Sequence, residues 1–232
     1  MLAAGIQCAN FPGPCIEARR LEMPGGLRHD AFDLLCETSV RVDADHWLEA
    51  VARCVSPNCD ARIDADDIVV LVIHNISLPP GRFGGEHVKQ LFTNCLDCSV
   101  DTALEDLVGV RVSAHLFIDR RGVITQFVPF DRRAWHAGIS SYRGRVGCND
   151  YSIGIELEGA DDVAYEPRQY QALAEAIATL MMRYRGLSLS TIVGHSEIAP
   201  GRKSDPGTAF DWSRLYRDCV QLLGVARAAY RR

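Results

Sequence analysis

The sequence predicts an α/β fold in which strands are layered against flanking helices, and three observations carry that expectation. Ile68-Val69-Val70-Leu71-Val72-Ile73 is an unbroken apolar run rich in β-branched residues, as in a strand buried on both faces. Val112 to Ile118 and Ser152 to Gly159 instead alternate with a period of two. From Pro167 onward, Tyr170, Leu173, Ala174, Ile177, Leu180, Met181 and Tyr184 recur at helical spacing.

At 232 residues, with 47% hydrophobic and 24% charged side chains, the chain is expected to form one large soluble domain. A formal charge of -5 argues against a general nucleic-acid binder. No apolar run approaches membrane-spanning length, and Met1 to Cys8 lacks the pattern of a secretory leader, so a cytoplasmic location is expected. Nine cysteines, an odd count, read as reduced thiols. Cys54 and Cys59, with Cys95 and Cys98, could be imagined as a structural metal site, but the two spacings differ, the second pair sits in an expected surface insertion, and thiols are the default reading.

In chain order, residues 1–43 show no sustained period and are expected to be an N-terminal extension that packs weakly or not at all. His46 to Arg62 reads as a helical or irregular lead-in. The run from Ile68 is expected to end at His74-Asn75, where Pro79, Pro80 and Gly81 lead away. Glu86 to Phe92 reads as a short helix, followed by an acidic loop from Asn94 to Asp106. Asp119-Arg120-Arg121-Gly122 is a hairpin turn between Val112–Ile118 and Val123–Val128. In Ser152 to Gly159, Ile153, Ile155 and Leu157 share one face, and Gly154, Glu156 and Glu158 the other. That second face is either a site floor or a solvated surface. Pro167 opens a helix that Gly186 ends, and a last amphipathic helix is expected from Phe210 to about Val225.

Gly194 to Gly207 holds a histidine, a lysine and an aspartate, with Pro200 and Gly201 breaking the backbone between them. It is expected to be a loop and not a helix face. His195 and Asp205 are of the ligand types that zinc takes, and a hydrolytic zinc needs three protein groups and a water. His74, alone, reads as a core or supporting histidine; beside this loop it is the best candidate for the third ligand.

Five passages resemble the zinc-dependent N-acetylmuramoyl-L-alanine amidase and peptidoglycan-recognition family, and within it the AmpD-type branch acting on 1,6-anhydromuropeptides. They are His74 to Gly85, Arg111 to His115, Ala134-Trp135-His136-Ala137-Gly138, Asn149 to Gly159, and His195 to Trp212, in the family's order. The resemblance implies a single domain, residues 44–232, with a central mixed β-sheet flanked by helices. It implies one zinc per chain on His74, His195 and Asp205, with Glu156 activating water and Lys203 steadying the oxyanion. The implied reaction cleaves the amide between the lactyl group of (1,6-anhydro-)N-acetylmuramic acid and L-alanine, in peptidoglycan recycling. Asn75, Arg111 and Trp135 are candidate substrate contacts, and His115 and His136 candidate supports of the ligands. The expected partner is an anhydromuropeptide, with no nucleic acid or membrane, and the chain is expected to be monomeric. Two other readings compete: a periplasmic amidase acting on intact murein, which the absent leader opposes, and a non-catalytic recognition module, which the retained Glu156, Lys203 and Asp205 oppose.

Overall fold

The computed structural model describes residues 41–230. Most of the expected extension, 1–43, lies outside them. Its last three residues pack on the domain: Val42 bridges Leu48, and the Asp43 carboxylate accepts from the Trp47 backbone N–H and from Arg53.

Six strands form the main sheet: β1 (Ala52–Arg53), β3 (Val70–Ile76), β4 (Leu116–Ile118), β5 (Ile124–Gln126), β9 (Ser152–Glu158) and β10 (Ile192–Gly194). Their order is β1-β5-β4-β9-β3-β10, and only the β4–β5 hairpin is antiparallel. The sheet is therefore mixed, with β4 and β9 at its centre and β3 between β9 and the edge strand β10. Two small antiparallel pairs stand apart, β2 (Cys59–Ala61) with β6 (Arg132–Ala134), and β7 (Ser141–Tyr142) with β8 (Arg145–Val146).

One face of the sheet carries Leu71, Ile73, Ile153, Ile155 and Leu157, buried with residues of two long helices, α2 (Pro167–Arg183) and α4 (Trp212–Tyr230). Burying each such side chain contributes about 1.5–3 kcal/mol, so this layer is the main stabilising core. Pro167 opens α2, and Gln169 completes a capping box with Glu166. The Gln169 amide also donates to the carbonyls of Ile118 and Glu158, tying the helix start to two strands. The helix stops at Arg183, ahead of Gly186, whose added Cβ would come within 2.7 Å of the Ile68 carbonyl oxygen. Gly186 thus serves a close crossing beneath the sheet.

The opposite face bears His74, Gly154 and Glu156, and it is covered, so the solvated alternative for this side of β9 is excluded. Part of the cover is a second apolar cluster, in which α1 (His87–Phe92) packs Val88, Leu91 and Phe92 with Leu78, Leu104, Phe117 and Phe127.

Several expected elements differ. The lead-in from His46 to Arg62 forms the short strands β1 and β2, because it finds partners more than seventy positions later in β5 and β6. The strand expected to end at His74-Asn75 runs one residue further, to Ile76, since the ladder to β9 pairs Ile76 with Glu158. The acidic loop after α1 contains two 3-10 helices, Cys98–Val100 and Thr102–Leu107, with Leu104 buried beneath them. His195–Ile198 is one short helix, α3, and the expected loop begins only after it. Pro200 disfavours α geometry in the residue before it, Ala199, so the helix ends at Ile198 after a single turn.

Candidate metal centre

Register places His74 directly beside Glu156 on neighbouring parallel strands, so both side chains project from the same face at the same level. His195 opens α3 at the end of β10, which pairs with β3 on its other side. The loop after α3 folds back so that the Ser196 N–H donates to the Asp205 carbonyl, at 3.0 Å. An added Cβ at Gly194 would lie 2.8 Å from Pro206 Cδ, so glycine is needed for this return. The result brings Asp205, ten residues on, against His195.

Three atoms converge. His74 Nδ1 lies 2.9 Å from His195 Nδ1 and 3.1 Å from Asp205 Oδ2, and His195 Nδ1 lies 3.0 Å from that same oxygen. These side chains form the one potential metal-holding group of three or more among the described residues. The six described cysteines form no disulfide and none belongs to this group. A tetrahedral zinc with bonds of about 2.0–2.1 Å needs ligand atoms about 3.3 Å apart, so the triangle fits with an opening of a few tenths of an ångström. His195 Nε2 donates to the Ala137 carbonyl at 3.0 Å, which leaves its Nδ1 as a bare lone pair.

Burial draws the His74 imidazole down to about 4, despite the neighbouring Asp205 carboxylate. Burial would raise the Asp205 carboxyl, but its contacts with His195 and His74 outweigh that and hold it below the usual range. At neutral pH the centre therefore presents a carboxylate and unprotonated imidazole nitrogen at contact distance, a set that a divalent cation satisfies.

Glu156 stands beside it. Its carboxyl is pushed well above the usual carboxylate range by burial, with Asp205 adding to the effect and Lys203 opposing it. Its Oε2 is buried and has no hydrogen-bond partner among the described residues. Glu158, two residues on, contrasts with it: one carboxylate oxygen accepts from the Gly84 N–H and the other from the Arg120 N–H.

A cavity of about 280 Å³ opens onto the centre. Glu156, His136, His195, Lys203 and Asp205 form its polar side with Asn75 and Trp135, and Leu78, Leu91, Phe92, Leu107, Val110 and Val112 its apolar side. The Asn75 amide donates to Asp161 at 2.8 Å. Arg111 is exposed, outside the cavity lining but between two valines that belong to it.

Of the two supporting histidines, His136 touches a candidate ligand, its Nδ1 lying 2.9 Å from His74 Nε2. His115 does not. It is fully buried behind His136, accepting at Nδ1 from the Gly154 N–H and donating from Nε2 to the Arg132 carbonyl. His46 and His87 are half-buried, against the Tyr184 hydroxyl and the Leu78 carbonyl, and His29 lies outside the described residues.

Sequence reasoning missed Arg62. Its guanidinium is buried and donates to the carbonyls of Phe130, Asn149, Asp150 and Ser152, closing the ground behind β9. Burial draws it down to about 10. No local pattern marks it, because all four acceptors lie at least 68 positions away.

This fold belongs to a known class of hydrolase. Residues 64–208 match the N-acetylmuramoyl-L-alanine amidase family model, and the chain belongs to that family of enzymes. It is similar to the 1,6-anhydro-N-acetylmuramyl-L-alanine amidase AmpD of Citrobacter freundii, with 51% identity over 169 residues, 73% of this chain and 90% of that protein. AmpD of Escherichia coli K12 shares 51% identity over 73% of this chain and 92% of its own length. A crystal structure of an Se-Met AmpD derivative superposes with a TM-score of 0.73 at 49% identity, covering 75% of this chain and 97% of that one.

Proposed function

We propose that this chain hydrolyses the amide between the lactyl group of 1,6-anhydro-N-acetylmuramic acid and the L-alanine of the stem peptide, in cytoplasmic peptidoglycan recycling. It does so with one zinc per chain held by His74, His195 and Asp205. The observation that carries this reading is the triangle of ligand atoms at 2.9–3.1 Å with the unpartnered Glu156 Oε2 in the same cavity. The AmpD relatives support the choice of substrate through the reaction in their name. No helix among the described residues is long and apolar enough to cross a membrane.

The chemistry such an ion supplies when bound is Lewis acidity, which polarises an oxygen and brings the pKa of water from about 15.7 towards about 7. Glu156 takes the proton of the attacking water on its free carboxylate oxygen and returns it to the leaving L-alanine nitrogen. Its raised carboxyl range suits both halves of that exchange. Lys203 sets its ammonium against the negative charge that grows on the carbonyl oxygen. Asn75, oriented by Asp161, and Trp135 contact the sugar side, and Arg111 at the exposed rim receives stem-peptide carboxylates. The apolar side excludes water around the scissile bond. The active species is a monomer.

Mass-spectrometric assay of purified chain on anhydromuropeptides, with and without a chelator, tests the reading. Release of the free stem peptide, lost on chelation and restored by zinc, is the expected result. Cleavage of intact sacculi with no turnover of anhydromuropeptides would overturn the substrate, and full activity after exhaustive chelation would overturn the metal.

A further inference from the structure

The two histidines of the centre are held from behind in different ways. His195 rests on a backbone carbonyl, whereas His74 rests on a side-chain series that runs through His136 and Ser152 to the carbonyl of Cys148. A carbonyl oxygen only accepts, and that fixes the direction of every bond before it. The Ser152 hydroxyl lies 2.6 Å from the Cys148 oxygen and donates its single hydrogen there. Its remaining lone pairs face His136 Nε2 at 3.1 Å, so this nitrogen carries the ring hydrogen. His136 Nδ1 is then the acceptor, 2.9 Å from His74 Nε2, which must be the donor. His74 Nδ1 is left bare, facing His195 Nδ1 and Asp205.

We infer that Ser152 and His136 are positioning residues that set the tautomer of His74, so that its Nδ1 lone pair is presented to the ion before the ion arrives. The inference rests on the metal reading above and deepens it. The surroundings are shaped to the relay. A Cβ at Gly154 would sit 2.4 Å from His136 Cγ, so the ring occupies the space that only glycine leaves on β9. The Asn149 side-chain oxygen accepts from the N–H groups of both His136 and Ala137, at 3.1 and 2.8 Å. One residue therefore fixes the ring behind His74 and the carbonyl behind His195. Reversing the relay would require the Cys148 carbonyl to donate, which it cannot do. Partners at this remove typically govern metal affinity by about 10- to 100-fold.

The test begins with long-range 15N–1H spectra of the full chain, metal-free and zinc-loaded, with histidines assigned by single substitution. The hydrogen is expected on Nε2 of both His74 and His136 in both forms. Zinc affinity by chelator competition then compares four variants. Ser152→Ala, His136→Ala and His136→Leu are each expected to weaken zinc about 10- to 100-fold. His136→Asn, whose side-chain oxygen can replace the Nδ1 acceptor, is expected to stay within about threefold of wild type, well short of that range. Hydrogen on Nδ1 of His136 in the wild type would overturn the relay, even if every variant misfolded. So would wild-type affinity in Ser152→Ala, or equal losses in His136→Asn and His136→Leu. Failure of the wild-type chain to take up zinc would instead remove the metal reading itself.

Discussion

The polar side of the cavity is carried by β3 and β9 of the six-stranded sheet, by the start of α3, and by the loops that hold Trp135, His136, Lys203 and Asp205. The side facing it comes from a six-residue helix and the turns that follow it. On the first side a ladder sets positions: His74 pairs with Glu156 because seven consecutive residues of β3 pair with seven of β9. On the second, burial sets shape, with Leu91, Phe92 and Leu104 packed under irregular backbone. A few side-chain bonds fasten that backbone. Asn58 donates to the carbonyls of Phe92 and Val112, and Ser56 to that of Phe92. The comparison teaches that atoms which must meet closely are held by backbone bonding, His74 and Glu156 by the ladder and Asp205 by the bond from the Ser196 N–H to its carbonyl, whereas a surface that need only be apolar is left to packing.

Substitutions can separate the two sides. The largest effect is expected from Asp205→Ala, which should lower bound zinc from one per chain to near zero and take turnover to the assay floor; metal analysis beside the rate decides it. Glu156→Ala should cost about 10²- to 10⁴-fold in rate with zinc content unchanged. A fully active variant would remove Glu156 from its role. Lys203→Ala should lower the rate by about 10²- to 10³-fold, again with the metal retained. An unchanged rate would refute its assignment. Across the cavity, Leu104→Ala should destabilise the fold by about 2–5 kcal/mol, read by denaturant unfolding, and raise KM more than it lowers kcat. Loss of zinc in that variant would erase the distinction between the two sides.

The smallest effect concerns pH. The folded Glu156 carboxyl titrates above its unfolded value of about 4.3, so the folded state holds a proton that the unfolded state has released. Stability of the metal-free chain should therefore fall as pH rises from about 4 towards the folded value. Glu156→Gln cannot ionise and should be the more stable protein at pH 7, with its advantage vanishing below about pH 4. Thermal melts of both metal-free proteins across that range check the sign, and an advantage that grows on acidification would contradict it.

Much of the ladder side was legible in the chain. The β-branched run before His74 marked β3, the alternation from Ser152 placed Glu156 on the face of Gly154, and Pro200-Gly201 marked the return that brings Asp205 to His195. What alternation cannot give is which glutamate keeps a free oxygen. Glu156 and Glu158 share a face and a residue type, and only tertiary contact leaves one oxygen free while it ties both oxygens of the other to backbone. The packed side was harder to read. Leu104 and Leu107 are set among polar and acidic residues without a helical period, so the segment after the short helix reads as an acidic loop. Arg62 and the Ser152–His136 relay depend on partners distant in sequence or on backbone carbonyls, and neither leaves a periodic trace.

The most direct test of the central claim is an anomalous difference map at the zinc edge from a crystal of the zinc-loaded chain. The expected result is one peak within about 2.0–2.2 Å of His74 Nδ1, His195 Nδ1 and an Asp205 carboxylate oxygen, with Glu156 facing it. A peak bound by other groups, or none at these three in a chain that cleaves its substrate, would contradict the account.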